Sequence, residues 1–450
     1  MRLRLLRHPL GGGFRADQVA RVILPDDDAF WLDSGAGGPA FLGTGSRVEL
    51  SSGAVLPALR DALASMRSAE ELGHVPLGLV GWLGYELRGE TTGMPVSRRG
   101  ALPDAAFLRV DRLVRVDPDG SAELLALGEG WTPDLARWRD RIEHALTEQA
   151  ARRSDHERPR PVEAPDAVSV RWRDSDDDYL ARIRACQQAI REGDAYQLCL
   201  TTEARVAGRF DPLEVFARVR EASPTHHAGL VRIGGAALVS ASPERFLEVD
   251  PTGLVRTRPI KGTRPRDARP DEDARLRGEL VASEKERAEN LMIVDLMRND
   301  LSRVSELGSV AVTSLLEVES YRQVHQLVST IEGRLLSGLG AVDAIEACFP
   351  AGSMTGAPKL RAIEILDDLE GRPRGPYAGA FGYLAADGSA DLAMTIRTIV
   401  IDDVGASVGA GGGITALSAP EDELAEAHLK ADALISALVG PRAQDGVPQR

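Results

Sequence analysis

Three short apolar runs, at residues 236–240, 246–249 and 254–259, follow one another with only a few residues between them. Gaps of that size let successive strands pair antiparallel and leave no room for the helical crossover that parallel pairing needs. Further strand-like runs stand at 195–201, 381–385, 394–401 and 407–411. Helical periodicity occurs at longer intervals. Residues 176–191 place Tyr179, Ile183, Cys186 and Ile190 on one face, with Gly193 as a stop. Helices are also expected near 212–222, 283–298, 339–348, 358–369 and 421–438. The pattern predicts an α+β fold: mainly antiparallel β-sheets with helices packed outside.

Composition narrows the functional class. The 450 residues are 43% hydrophobic, ample for a sizeable core, and carry a formal net charge of −14. An acidic surface disfavours nucleic acid, because neutralising phosphates needs a basic contact face. Three cysteines without a Cys-x-x-Cys pattern argue against a disulfide framework and a zinc ribbon, so a reducing, cytoplasmic setting is expected. Charges among the leucines of residues 1–7 leave no signal-peptide core. No apolar run approaches the ~18 residues of a membrane span. The segment 151–168, ARRSDHERPRPVEAPDAV, is charged, rich in proline and aperiodic, and reads as a linker. It divides an N-terminal region (1–150) from a C-terminal region (169–438), and 439–450 reads as a flexible tail.

Several constellations could carry chemistry. Glu423, Glu426 and Lys430 fall at i, i+3 and i+7 on one helical stripe, where carboxylates one turn apart can hold a hard cation or simply form a solvated face. Ser283-x-x-Glu286 and Ser418-x-x-Glu421 read as capping boxes. The string Gly409-Ala410-Gly411-Gly412-Gly413 follows a strand and could present amides to an anion, yet it is not a dinucleotide fingerprint because Ile414 stands where a glycine is required. The 352–359 segment lacks the Gly-Lys-Ser/Thr ending of a phosphate loop. Only four lysines, Lys261, Lys285, Lys359 and Lys430, stand among the 54 basic residues. Alternation places Lys261 with Val255 and Thr257 on the inward face of its strand. A desolvated lysine can titrate near ~7–8 and act as a nucleophile, which arginine cannot.

Read together, the segments resemble the chorismate-utilising enzymes, in particular the aminodeoxychorismate synthase component I branch. The resemblance rests on FWLDS (30–34) and GWLGYE (81–86) in the N-terminal region. In the C-terminal region it rests on SASPERF (240–246), PIKGTRPR (259–266), EKERAENLMIVDLMRNDL (284–301), FPAGSMTGAPK (349–359), YAGAFGY (377–383), TIRT (395–398) and the stretch from Gly411 to Lys430. It implies an anthranilate synthase component I-like N-terminal region and a chorismate-binding catalytic domain at 169–438.

The resemblance further implies that Glu289, Glu423 and Glu426 hold Mg²⁺ against the ring carboxylate of chorismate. It implies that Tyr377, Arg397, the amides of Gly411, Gly412 and Gly413, and Lys430 receive the enolpyruvyl carboxylate. Gln197 stands where isochorismate- and salicylate-forming members carry a lysine, which argues against them. Lys261 stands where anthranilate synthases usually carry a small residue. The implied reaction is amination at ring carbon 4 through a covalent Lys261 adduct at carbon 2, with Glu244 as general acid/base and Thr263 positioning the reacting face. Anthranilate synthase component I is the alternative, and an idle chorismate- or amino-acid-binding regulator is a third reading. Two departures stand out: Gln326 replaces the usual histidine beside the leaving hydroxyl, with His325 one residue earlier, and Leu417-Ser418-Ala419-Pro420 replaces Asp-Ser-Asp-Pro. None of the cysteines sits in a glutaminase-type turn, so ammonia is expected from a glutamine amidotransferase partner.

Overall fold

The computed structural model describes residues 3–25, 27–35, 37–151 and 169–439. Its strands form two antiparallel sheets. The first runs in the order Arg4–Gly11, Ala122–Gly128, Arg112–Val116, Ala40–Thr44, Ala29–Asp33, His227–Ile233, Ala236–Ser242, Thr398–Ile401, Gly405–Ile414, Gln197–Ala207 and Gly356–Ala357, with Val170–Trp172 also paired to Gln197–Ala207. The second runs Ile260–Pro265, Val324–Arg334, Leu254–Arg258, Arg245–Val249, Ala390–Met394, Ala380–Ala385, Gly78–Leu83, Ala105–Val110 and Ser46–Arg47, with Ala311–Ser320 paired to Val324–Arg334. The α+β architecture read from the sequence is the one observed.

Period-two alternation builds the core. In neighbouring strands Phe30, Val231 and Leu238 face the second sheet, while Trp31, Leu230 and Val239 face the helices behind. The inner layer joins them to Trp82, Phe107, Phe246 and Phe381 of the second sheet. Behind the first sheet, Phe216 of helix Pro212–Ala222 and Leu434 of helix Pro420–Val439 close the outer layer.

Each sheet mixes strands from before and after the 151–168 segment. Ala29–Asp33 pairs with His227–Ile233, and Gly78–Leu83 pairs with Ala380–Ala385. Residues 152–168 and 440–450, which hold nearly all of the expected linker and tail, lie outside the described residues; Ala151 ends one helix and Val439 another.

Some local expectations need correction. The run 394–401 is not one strand: Ala390–Met394 belongs to the second sheet and Thr398–Ile401 to the first, with Arg397 at φ +50° between them. The glycines at 411–413 are not a loop after a strand but part of the strand Gly405–Ile414. Helix Pro270–Ala282 and the strand Ala311–Ser320 carry weak apolar periodicity and lie outside the expected elements.

Candidate active site

Lys261 owes its direction to an irregularity. The strand Ile260–Pro265 pairs with Val324–Arg334, but the register slips between Ile260, opposite Val328, and Thr263, opposite Gln326. The extra residue makes a bulge at Lys261–Gly262, with Gly262 at φ +81°, a conformation that costs glycine little. A Cβ at Gly262 would lie 2.7 Å from Leu280 and 2.9 Å from the Glu286 carboxyl carbon. Alternation counted straight through Pro259 therefore does not aim the lysine; the bulge does. The Lys261 charge acts on Glu244, Glu289 and Glu426, so one cation faces three carboxyls from different elements.

Glu244 sits in the turn after strand Ala236–Ser242 and is buried. Burial pushes its carboxyl up to about 7, against the opposing pull of Lys261, a hydrogen bond from Ser353 and the charge of Lys430. Such a group changes charge near neutrality, which suits proton transfer.

The three expected metal ligands lie on two helices. Glu289 is on helix Glu284–Ser302, and Glu423 and Glu426 are on helix Pro420–Val439. Lys285 donates to Oε1 of Glu423 at 3.1 Å and lies 4.0 Å from Oε1 of Glu289. Burial raises the Glu289 carboxyl, with Lys261 and Lys285 opposing. For Glu426 burial acts upward, but Lys430 at 2.6 Å, together with Lys285 and Lys261, outweighs it and holds the carboxyl low. Ser418 is not a helix cap. Its hydroxyl donates to Oε1 of Glu423 at 2.6 Å and accepts from the Thr415 amide, so the second capping box does not form. Ser283 does accept from the Glu286 amide, while the Glu286 carboxylate lies against Gly262.

Among the described residues no three His, Cys, Asp or Glu side chains form a finished metal cage. The lysines explain the spread, since Lys285 holds Glu423 and Glu289 while Lys430 holds Glu426. The donors nevertheless suit a hard cation. All three are carboxylates, and Oε1 of buried Glu289 has no hydrogen-bond partner.

The segment expected to receive the anion is built by close packing. The Tyr377 ring covers Gly409, where a Cβ would lie 2.2 Å from its Cγ. A Cβ on Gly412 would lie 3.0 Å from Oε2 of Glu423, and one on Gly413 would lie 2.0 Å from Nε2 of Gln197. Each of these glycines thus makes room for a side chain of the site. The strand Thr398–Ile401 pairs with Gly405–Ile414 only as far as Val408, so from Gly409 onward that edge is open. Lys430 donates to the Gly411 carbonyl at 2.8 Å, and in an antiparallel strand the Gly411 amide faces the same way. Arg397 donates to the Lys430 carbonyl, and burial lowers its guanidinium from the usual range. Arg397 and Ala378, at φ +50° and +65°, flank Tyr377 and the open edge. Backbone held in this region costs roughly 1–3 kcal/mol per residue and concentrates at functional sites.

Thr263 and Gln326 are cross-strand partners and so share a face. His325 faces the other way. Its Nε2 pairs with Asp273 at 3.0 Å and its Nδ1 with Ser320 at 2.8 Å, so it is committed to the helix side and does not stand in for a histidine at 326.

Sequence reasoning missed four groups. Lys285 was readable only as the residue one turn before Glu289, and Ser418 was disguised as a cap. Ser353 carried no signal. Gln197 was read for what it excludes; in the structure its fully buried amide has neither Nε2 nor Oε1 paired. Behind the site, Arg374 donates to Glu370 and to the carbonyls of Met354 and Cys199, while Glu370 accepts from the amide and hydroxyl of Thr201. Glu86 of the N-terminal GWLGYE motif accepts from the amides of Arg374 and Gly375.

A separate cavity of about 420 Å³ lies between the sheets, lined by Asp33, Ser34, His74, His227, Arg245 and Asp391 among others. Its lining includes none of the candidate site residues, and Arg245 is already bonded to Asp391 and Glu248, so size does not make it the reaction site.

The profile of chorismate binding enzymes matches residues 27–436. The chain belongs to the chorismate-binding enzyme family. It is 46% identical over 369 residues to aminodeoxychorismate synthase of Streptomyces pristinaespiralis, covering 80% of this chain and 51% of that protein. It is 37% identical to anthranilate synthase component 1 of Streptomyces coelicolor, covering 96% and 88%. The chain spans about half the length of the aminodeoxychorismate synthases it matches. Anthranilate synthase component I of Streptococcus pneumoniae superposes with a TM-score of 0.73 at 25% identity, over 96% of this family member and 92% of that chain. The described helices include none long and apolar enough to cross a membrane.

Proposed function

We propose that this family member aminates chorismate at ring carbon 4, giving 4-amino-4-deoxychorismate, with ammonia delivered by a glutamine amidotransferase partner. The observation that carries the reading is Lys261 on its bulge, facing a buried Glu244 that titrates at about 7. The aminodeoxychorismate synthases at 46% and 43% identity support it.

In this reading the Lys261 amine bonds to ring carbon 2. The two ring double bonds shift, and the carbon 4 hydroxyl leaves as water after taking a proton from Glu244. Ammonia then bonds to carbon 4, the double bonds return, and the lysine is expelled; the enolpyruvyl group stays in place. Tyr377, Arg397, Lys430 and the amides at the open glycine edge orient the enolpyruvyl carboxylate. Thr263 and Gln326 line the strand pair beside the bulge. Glu289, Glu423 and Glu426 would hold Mg²⁺, which supplies charge neutralisation and orientation of the ring carboxylate.

Anthranilate synthase component I remains the second reading, favoured by the Streptomyces coelicolor relative that is matched over 88% of its length. Purified protein with chorismate, Mg²⁺ and ammonium separates the two by mass spectrometry. The expected product is aminodeoxychorismate; anthranilate with pyruvate as the main products would replace this reading with the second.

A further inference from the structure

Lys285 is the one lysine near the site to which no role has been given, and its placement is specific. It enters from the first turn of helix Glu284–Ser302 and bridges that helix to Pro420–Val439 through Glu423. Its Nζ lies 3.1 Å from Oε1 of Glu423 and 4.0 Å from Oε1 of Glu289. These are two of the three carboxylates assigned to the cation. Ser418 donates to the same Glu423 oxygen, whereas Oε1 of Glu289 has no hydrogen-bond donor. A buried carboxylate oxygen without a donor is costly and marks a position that a ligand completes.

We propose that Lys285 is a built-in counter-ion that occupies the place of the divalent cation, so that the metal binds by displacing the lysine from Glu423 and Glu289. The inference rests on the assignment of those carboxylates to the metal. Two positive charges cannot share the space between the same two carboxylates. The Lys285 side chain is 41% exposed, so it can withdraw along its flexible stem into water, whereas Glu423 and Glu289 are buried and stay. With the lysine in place the two helices are tied without metal; with metal bound, Glu289 gains the partner it lacks. The device keeps Glu423 and Glu289 from repelling one another when no metal is bound, and it weakens metal affinity by the free energy of the displaced pair.

The test is Mn²⁺ binding, as a probe for a hard cation, to the full chain without chorismate, by electron paramagnetic resonance of the free ion and by calorimetry. Wild type, K285M, K285Q, K285R and E289Q are compared, with thermal melts as a control for folding. K285M and K285Q are expected to bind Mn²⁺ about tenfold more tightly than wild type. K285R, which keeps the charge, stays near wild type, and E289Q binds more weakly. Affinity in K285M and K285Q equal to or below wild type, or tightening in K285R as large as in K285M, overturns the counter-ion while leaving the metal assignment intact. Absence of Mn²⁺ binding in every protein, with chorismate added as well, overturns the metal assignment and the counter-ion with it.

Discussion

The Glu370–Arg374 pair and the Lys285–Glu423 pair both join a carboxylate to a cation, and they are built in opposite ways. In the first, the side chains are 1% and 3% exposed, and Arg374 spends its donors on Glu370, Met354 and Cys199 while the Tyr85 ring covers it. Every side-chain nitrogen of Arg374 and both carboxylate oxygens of Glu370 have partners there. In the second, the lysine is half in water, one neighbouring carboxylate oxygen has no donor, and Lys261 adds a further charge. A saturated network fixes walls, here the strand Gln197–Ala207 and the turn at Met354; an unsaturated one has capacity for a ligand. The first pair bonds to Cys199 and Thr201 of strand Gln197–Ala207, and Glu423 packs against Gly412 of the neighbouring strand Gly405–Ile414.

The largest effect falls on the open side. Lys261→Ala is expected to lower the rate of carbon 4 amination by about 100-fold or more, or to redirect the product, measured by mass spectrometry of a chorismate turnover. Unchanged rate and product would remove the lysine from the reaction.

On the closed side, Arg374→Met leaves Glu370 buried and unpaired and should cost about 3–5 kcal/mol of stability in a denaturant titration. A loss under ~1 kcal/mol would mean that the network is not the wall described.

Glu244→Gln tests the open side by pH. The folded carboxyl titrates at about 7 against 4.5 unfolded, so its contribution to stability is full below 4.5, falls as pH rises, and is gone above 7. Relative to wild type, the variant should therefore gain about 3 kcal/mol between pH 4.5 and 7 and hold that gain at higher pH. A pH-independent difference would contradict the burial of this group.

Smaller still, Gly409→Ala should push the Tyr377 ring aside, raising KM for chorismate with a stability loss of about 1–3 kcal/mol. At the bottom of the scale, Glu421→Gln breaks only the exposed pair with Arg184 and should leave melting temperature and turnover unchanged within error. A clear shift would show that surface charge on the carboxylate helix matters after all.

The fold was legible where periodicity was strong. Helix 176–191 is observed as Asp176–Arg191 and helix 212–222 as Pro212–Ala222, each with a capped start. Legibility failed where one segment serves two sheets, as at Arg397, and where a polar helix such as Pro270–Ala282 buries only Leu280. In the site, residue types were readable and directions were not. Ser418 has the sequence of a cap and the contacts of a carboxylate anchor because Glu423, not the first-turn amides, lies within its reach.

The sequence by itself determined the antiparallel α+β architecture and the family, because apolar alternation, turn spacing and motif order are local properties of the chain. Only the tertiary structure decided which of the four lysines does what. Lys359 is spent on Asp300, Lys430 on Glu426 and the Gly411 carbonyl, and Lys285 lies between Glu423 and Glu289. Lys261 alone stands on a bulge facing Glu244. The reason is physical: a lysine's charge is set by its chemistry, but its partners are set by strand register and helix packing, which bring Lys285 to Glu423 from 138 positions away.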